Sequence, residues 1–116
     1  MELRGRVAVV TGGASGIGRA MCRAFAEREA RAVVVSDVNG AGAEEVAKGI
    51  EADGGQALSV RTDVARERDI VALVRQAEEQ CGPIDLFCSN AGIVVPGGAE
   101  APDEGGRRGG PDDGER

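Results

Sequence analysis

The chain has 116 residues, room for one domain, with 41% hydrophobic and 29% charged residues, the balance of an ordinary globular protein. A formal net charge of -6 and a pI near 4.7 argue against nucleic acid or an anionic membrane as partner. With no His at all, and Cys22, Cys81 and Cys88 forming no CxxC pair, no metal site is expected.

Met1 to Arg6 contain no apolar leader core, and no apolar run approaches the roughly 18 residues of a membrane span. Neither a signal peptide nor a spanning helix is expected. The cysteines read as reduced thiols of a cytoplasmic protein.

In chain order, a first strand is predicted at Val7-Ala8-Val9-Val10, followed at once by a glycine-rich stretch over 12–18. A helix follows, with Ile17, Ala20, Met21, Ala24 and Phe25 expected on one apolar face. Ala32-Val33-Val34-Val35 forms a second strand, closed by Ser36-Asp37. Ala43, Val46, Ala47 and Ile50 then recur at i, i+3, i+4, i+7, and Asp53-Gly54-Gly55 stops that second helix. A third strand spans Gln56 to Arg61. The next helix carries Ile70, Leu73, Val74, Ala77 and Cys81 on one face and ends at Gly82-Pro83. A fourth strand, Ile84 to Cys88, runs into Ser89-Asn90-Ala91-Gly92.

Strands alternating with helices predict βαβ units, and uninterrupted apolar strands predict a parallel sheet covered on both faces. The fold class expected is α/β, a Rossmann-like doubly wound parallel sheet, incomplete, with about four strands and three helices over residues 1–95. Residues 96–116 hold seven Gly, three Pro, six acidic residues and three Arg, with no Val, Ile, Leu or aromatic residue. Such a segment cannot offset its ordering entropy, so a disordered tail is expected there.

The chemistry concentrates in Thr11-Gly12-Gly13-Ala14-Ser15-Gly16-Ile17-Gly18. A glycine at 12 permits a tight turn, one at 16 lets backbone approach a pyrophosphate, and one at 18 seats the helix close on the strand. The helix start then offers free N–H groups and a partial positive charge. Gly12, Ser15, Gly16, Ile17 and Gly18 are therefore candidate dinucleotide contacts. Asp37, 19 residues after Gly18 and ending the second strand, is placed to accept hydrogen bonds from an adenosine ribose. Its carboxylate repels a 2′-phosphate, and no basic residue stands at 13–15 or 38–39, so NAD is favoured over NADP.

These residues resemble the TGxxxGxG signature of the short-chain dehydrogenase/reductases. Asp63-Val64 after the third strand and Asn90-Ala91-Gly92 after the fourth match that family at the expected places, over residues 3 to about 95. The resemblance implies an NAD(P)-dependent oxidoreductase that moves hydride between nicotinamide and an alcohol or carbonyl. It further implies that Asp63 and Val64 touch adenine, and that Asn90, Ala91 and Gly92 brace the sheet beside the ribose. By residue type alone Asp63 serves equally as a helix-start residue, and 90–92 equally as a turn.

Two departures from the family stand out. Where the family often ends the first helix in glycine, this chain reads Arg28-Glu29-Ala30-Arg31, and a non-glycine residue at positive φ there costs roughly 1 kcal/mol. The family's catalytic Ser and Tyr-x-x-x-Lys lie well beyond the Asn-Ala-Gly turn. This chain has no Tyr, and its only lysine, Lys48, falls on the second helix. No catalytic residue is assigned, and the chain is expected to be inactive alone.

The resemblance also implies further strands beyond the fourth. Ile84, Leu86, Phe87 and Cys88 are then expected on an unpaired edge, one sheet face loses helical cover, and association through that edge is expected. The composition after residue 95 is what a GC-rich gene yields out of frame, so truncation by frameshift or an incomplete gene model is expected, the alternative being a natural short protein with an acidic, flexible tail. The alternatives are a non-catalytic NAD-binding module and a module that docks on an intact homologue.

Overall fold

The computed structural model describes residues 2–90 and the backbone of 93–96. The strands are β1 (Val7–Thr11), β2 (Ala32–Asp37), β3 (Ala57–Arg61), β4 (Leu86–Ser89) and β5 (Ile93–Pro96). The helices are α1 (Gly16–Glu27), α2 (Gly40–Ala52) and α3 (Glu67–Cys81). The sheet order is β3-β2-β1-β4-β5, with β1 to β4 all parallel. The parallel α/β fold read from the sequence is the one found.

Alternate strand residues point to opposite faces, and the core divides accordingly. On one face Ala8, Val10, Val33, Val35, Leu86 and Cys88 pack against Cys22 of α1 and the α2 residues Ala43, Val46, Ala47 and Ile50. On the other, Val9, Val34 and Ile84 pack against Leu73 and Ala77 of α3. The second helix buries the four residues its spacing predicts.

Three expectations need correction. First, α1 buries Gly18 and Cys22, while Ile17 is 73% exposed and Ala20 is exposed as well. The helix lies so close to the sheet that its contact seam is made of small residues, and the bulkier Met21 and Phe25 sit at its margin, partly buried. Periodicity finds apolar residues but does not register a seam led by glycine.

Second, β4 is not an unpaired edge. β5 pairs with it antiparallel, Ser89 opposite Ile93 and Leu86 opposite Pro96. Three residues separate the paired Ser89 and Ile93, which is hairpin spacing, and Ile93-Val94-Val95 is a β-branched run. Third, β5 includes Pro96, one residue into the segment expected to be tail. A proline that lacks an N–H is tolerated at an edge strand. The remainder of that expectation, 97–116, lies outside the described residues.

The end of α1 shows the strain read from the sequence. Glu29 has φ 65, the only positive φ at a non-glycine among the described residues. Its N–H donates to Ala26 O at 3.0 Å and the Ala30 N–H to Phe25 O at 3.1 Å, a helix stop that favours glycine.

Candidate dinucleotide-binding site

In this strand order the chain passes from β1 outward to β2 and β3, then returns to lay β4 on the opposite side of β1. The crevice at the carboxyl ends of β1 and β4 is the switch point where open α/β sheets bind ligands. Gly12 follows β1 here and Asn90 follows β4. The Asn90 N–H donates to Thr11 Oγ1 at 3.3 Å and its Nδ2 to Gly12 O at 3.4 Å, so the two loops are stitched together across the switch.

The turn is shaped by what its glycines lack. Gly12 has φ +68, and a Cβ there would sit 2.7 Å from the Asn90 Cβ. At Gly18 a Cβ would overlap the Gly12 carbonyl group, so α1 can start this close to β1 only with glycine. Gly16, at φ +58, has nothing within 4 Å of its missing Cβ, leaving open space at the mouth of the turn. Ser15 is the N-cap of α1, but its side chain makes no capping hydrogen bond. The first-turn N–H groups are thus not satisfied by the cap, as an anion seat requires.

Asp37 is tied to this turn. Its Oδ2 accepts from the Ala14 N–H at 3.0 Å and its Oδ1 from the Asn39 N–H at 2.9 Å. Gly13 N–H donates to Ser36 O at 2.9 Å, fixing the same loop to the end of β2. Asn39 in turn accepts from Gly42 N–H at 3.0 Å and caps α2. The carboxylate therefore stands in one place relative to the glycine turn, held by two backbone donors.

Asp63 lies in the turn that precedes α3, whose N-cap is Arg66. Its Oδ1 accepts from Ala65 N–H at 3.0 Å, and its Oδ2 lies 3.6 Å from Arg66 Nε. Beside it Val64 is 56% exposed, and Val38, just past Asp37, is 57% exposed. With Ile17 they make three of the four large hydrophobic residues that are exposed among those described. Val38 carries no motif signal in the sequence, and its exposure beside the site is seen only in the fold. Of the expected site residues, Gly12, Ser15, Gly16, Ile17, Gly18, Asp37, Asp63, Val64 and Asn90 lie at the carboxyl ends of the strands or in the segments that follow them. Ala91 and Gly92 lie outside the described residues.

Nothing in the described part of this site resembles an acid–base pair. Lys48 is 3.6 Å from Glu44 on the outer side of α2, an exposed pair. The three cysteines are free; burial pushes the Cys22 thiol up to about 12, with Cys88 adding to the shift, and burial raises Cys88 and Cys81 as well. None is poised as a thiolate nucleophile. No described helix is long and apolar enough to cross a membrane.

Comparison with known proteins agrees with this geometry. The short chain dehydrogenase family matches residues 6–105. A cis-4-hydroxycyclohexanecarboxylate dehydrogenase of Sinomonas cyclohexanicum is 50% identical over 91 residues, covering 78% of this chain and 36% of that protein. Among solved structures, a hydroxysteroid dehydrogenase from Escherichia coli superposes with a TM-score of 0.73 at 36% identity, covering 76% of this chain and 37% of that one. A 7α-hydroxysteroid dehydrogenase complexed with NADH and 7-oxo glycochenodeoxycholic acid gives 0.72 at 37% identity, covering 74% and 33%. The chain thus spans about a third of the length of these relatives. With the fold, the glycine turn and these matches in agreement, the chain belongs to the short chain dehydrogenase family.

Proposed function

We propose that this chain is the NAD-binding portion of a short-chain oxidoreductase and that its 116 residues do not by themselves carry out hydride transfer. The observation that carries the reading is the glycine turn locked to Asp37. Gly12 and Gly18 occupy positions that a Cβ would fill, and the Ala14 N–H to Asp37 bond fixes the acid beside the turn. A pyrophosphate fits the open N–H groups at the start of α1, and the adenosine ribose fits Asp37. The dinucleotide, when bound, supplies the hydride donor or acceptor. The chain's own residues bind and orient it: the turn holds the phosphates, and Asn90 keeps the β4 loop closed on the β1 loop.

Asp37 favours NAD over NADP, because a carboxylate beside a 2′-phosphate costs on the order of tenfold in affinity. Absence of turnover follows from composition. A proton must reach the carbonyl oxygen as hydride arrives, and the chain has no Tyr and no His, while its one Lys is engaged with Glu44 away from the site. Three free thiols fit a reducing, cytoplasmic setting.

Calorimetric titration of the full chain with NAD and NADP, alongside a nicotinamide absorbance assay with alcohols, tests both parts. Binding with NAD the tighter ligand and no absorbance change is expected. Absence of NAD binding overturns the assignment of the seat, and turnover by the chain alone overturns the claim of inactivity.

A further inference from the structure

The adenosine end of the seat contains a cation that the glycine signature does not involve. Arg61 is the last residue of β3 and stands in register with Asp37 of β2, so the two side chains leave the sheet on the same face, on strands about 4.8 Å apart. Its stem runs along the opening of α2. A Cβ at Gly40 would lie 3.2 Å from Arg61 Cβ, 3.5 Å from Cγ and 3.6 Å from Cδ. The stem is therefore laid across the first residue of the helix that follows the Asp37-Val38-Asn39 turn. Its guanidinium makes no ion pair among the described residues, whereas Arg4, Arg6 and Arg66 each have a carboxylate partner. Asp37 forms no ion pair with it; its two carboxylate oxygens each accept from a backbone N–H group.

We infer that Arg61 is a second specificity-determining residue of the seat, whose positive charge offsets Asp37 and lets the chain bind a dinucleotide bearing a 2′-phosphate. This inference rests on the NAD-binding reading above and refines its specificity. A ribose accepted by Asp37 places its 2′ position beside the Asp37–Gly40 turn, where the Arg61 stem passes. A phosphate there carries about −1.5 to −2 charges, while the ribose hydroxyl of NAD carries none. The cation thus acts on one cofactor and not on the other. At a separation of about 8 Å in a partly screened setting, that attraction is worth roughly three- to tenfold in affinity. Asp37 still favours NAD, and Arg61 narrows the gap.

The full chain and its Arg61→Ala, Arg61→Met and Arg61→Lys variants are titrated calorimetrically with NAD and with NADP. Arg61→Ala is expected to weaken NADP roughly three- to tenfold and to leave NAD within about twofold. Arg61→Met, which keeps a stem over Gly40 without the charge, is expected to behave as Arg61→Ala, and Arg61→Lys as the parent. If NAD binds but NADP does not, if both ligands weaken together in Arg61→Ala, or if Arg61→Met retains parental NADP affinity, the inference is overturned. If the parent binds neither ligand, the NAD-binding reading itself has failed and takes this one with it.

Discussion

The two faces of the sheet are built to different degrees of completeness. The face under α1 and α2 buries eleven residues in one cluster, and the glycine turn and Asp37 sit at its carboxyl end. The face under α3 buries five among the described residues, and Leu58, Val60, Val74 and Phe87 around them are only partly buried. Val71 is 49% exposed on the outer side of α3. Among the described residues, the face beside the glycine turn and Asp37 is therefore the more fully packed of the two. Chain order explains the asymmetry: the first two crossovers place both their helices on one side, and only the third covers the other.

The largest effect should come from the tightest contact of the fuller face. Gly18→Ala drives a methyl into the Gly12 carbonyl and should cost about 4 kcal/mol or more, read as loss of the cooperative melting transition. A fall of less than about 1 kcal/mol would show that α1 can lift off the sheet cheaply.

Next comes alkaline pH. The folded Cys22 thiol titrates near 12 against an ordinary value of 9.0, so folding favours its protonated form. That contribution is complete below pH 9 and is lost as pH rises toward 12, about 2–3 kcal/mol by pH 11. Cys22→Ala should flatten the decline measured by chemical denaturation across that range. An unchanged slope would show that Cys22 is not sealed under the turn.

On the thinner face, Leu73→Ala should cost about 3 kcal/mol and Val74→Ala under about 1 kcal/mol, a contrast read from urea midpoints. Equal costs would mean that this face is more enclosed than its exposures indicate. The smallest effect has the opposite sign. Glu29→Gly relieves a positive φ and should stabilise by about 0.5–1 kcal/mol, reduced by loss of the exposed 3.0 Å pair with Arg4.

These contrasts also mark what the sequence made legible. Val7 to Val10 and Ala32 to Val35 read directly as buried parallel strands, because both faces of the sheet demand apolar residues there. The strain at Glu29 was legible as well, since a helix stop without glycine leaves few other conformations. The glycine turn was legible because its steric demands admit one residue type. Less was legible where the contact is long-range. The buried seam of α1 depends on how closely Gly18 approaches Gly12, which the glycine signature encodes and the apolar periodicity of the helix does not. The hairpin through Ile93 is written in the chain only as a three-residue spacing and a short β-branched run, a weak local signal beside the family pattern. Val38 and Arg61 gain meaning only once the strand ends are seen side by side.

The seat for the dinucleotide is the centre of this account, and Asp37→Ala probes it most directly. Titrating parent and variant chains with NAD and with inorganic pyrophosphate separates the ribose contact from the phosphate contact. Asp37→Ala should weaken NAD about tenfold or more, because a hydrogen-bonded charged acceptor for the ribose is lost, while pyrophosphate affinity stays within about threefold. Unchanged NAD affinity in the variant, or NAD held no more tightly than pyrophosphate by the parent, would contradict it.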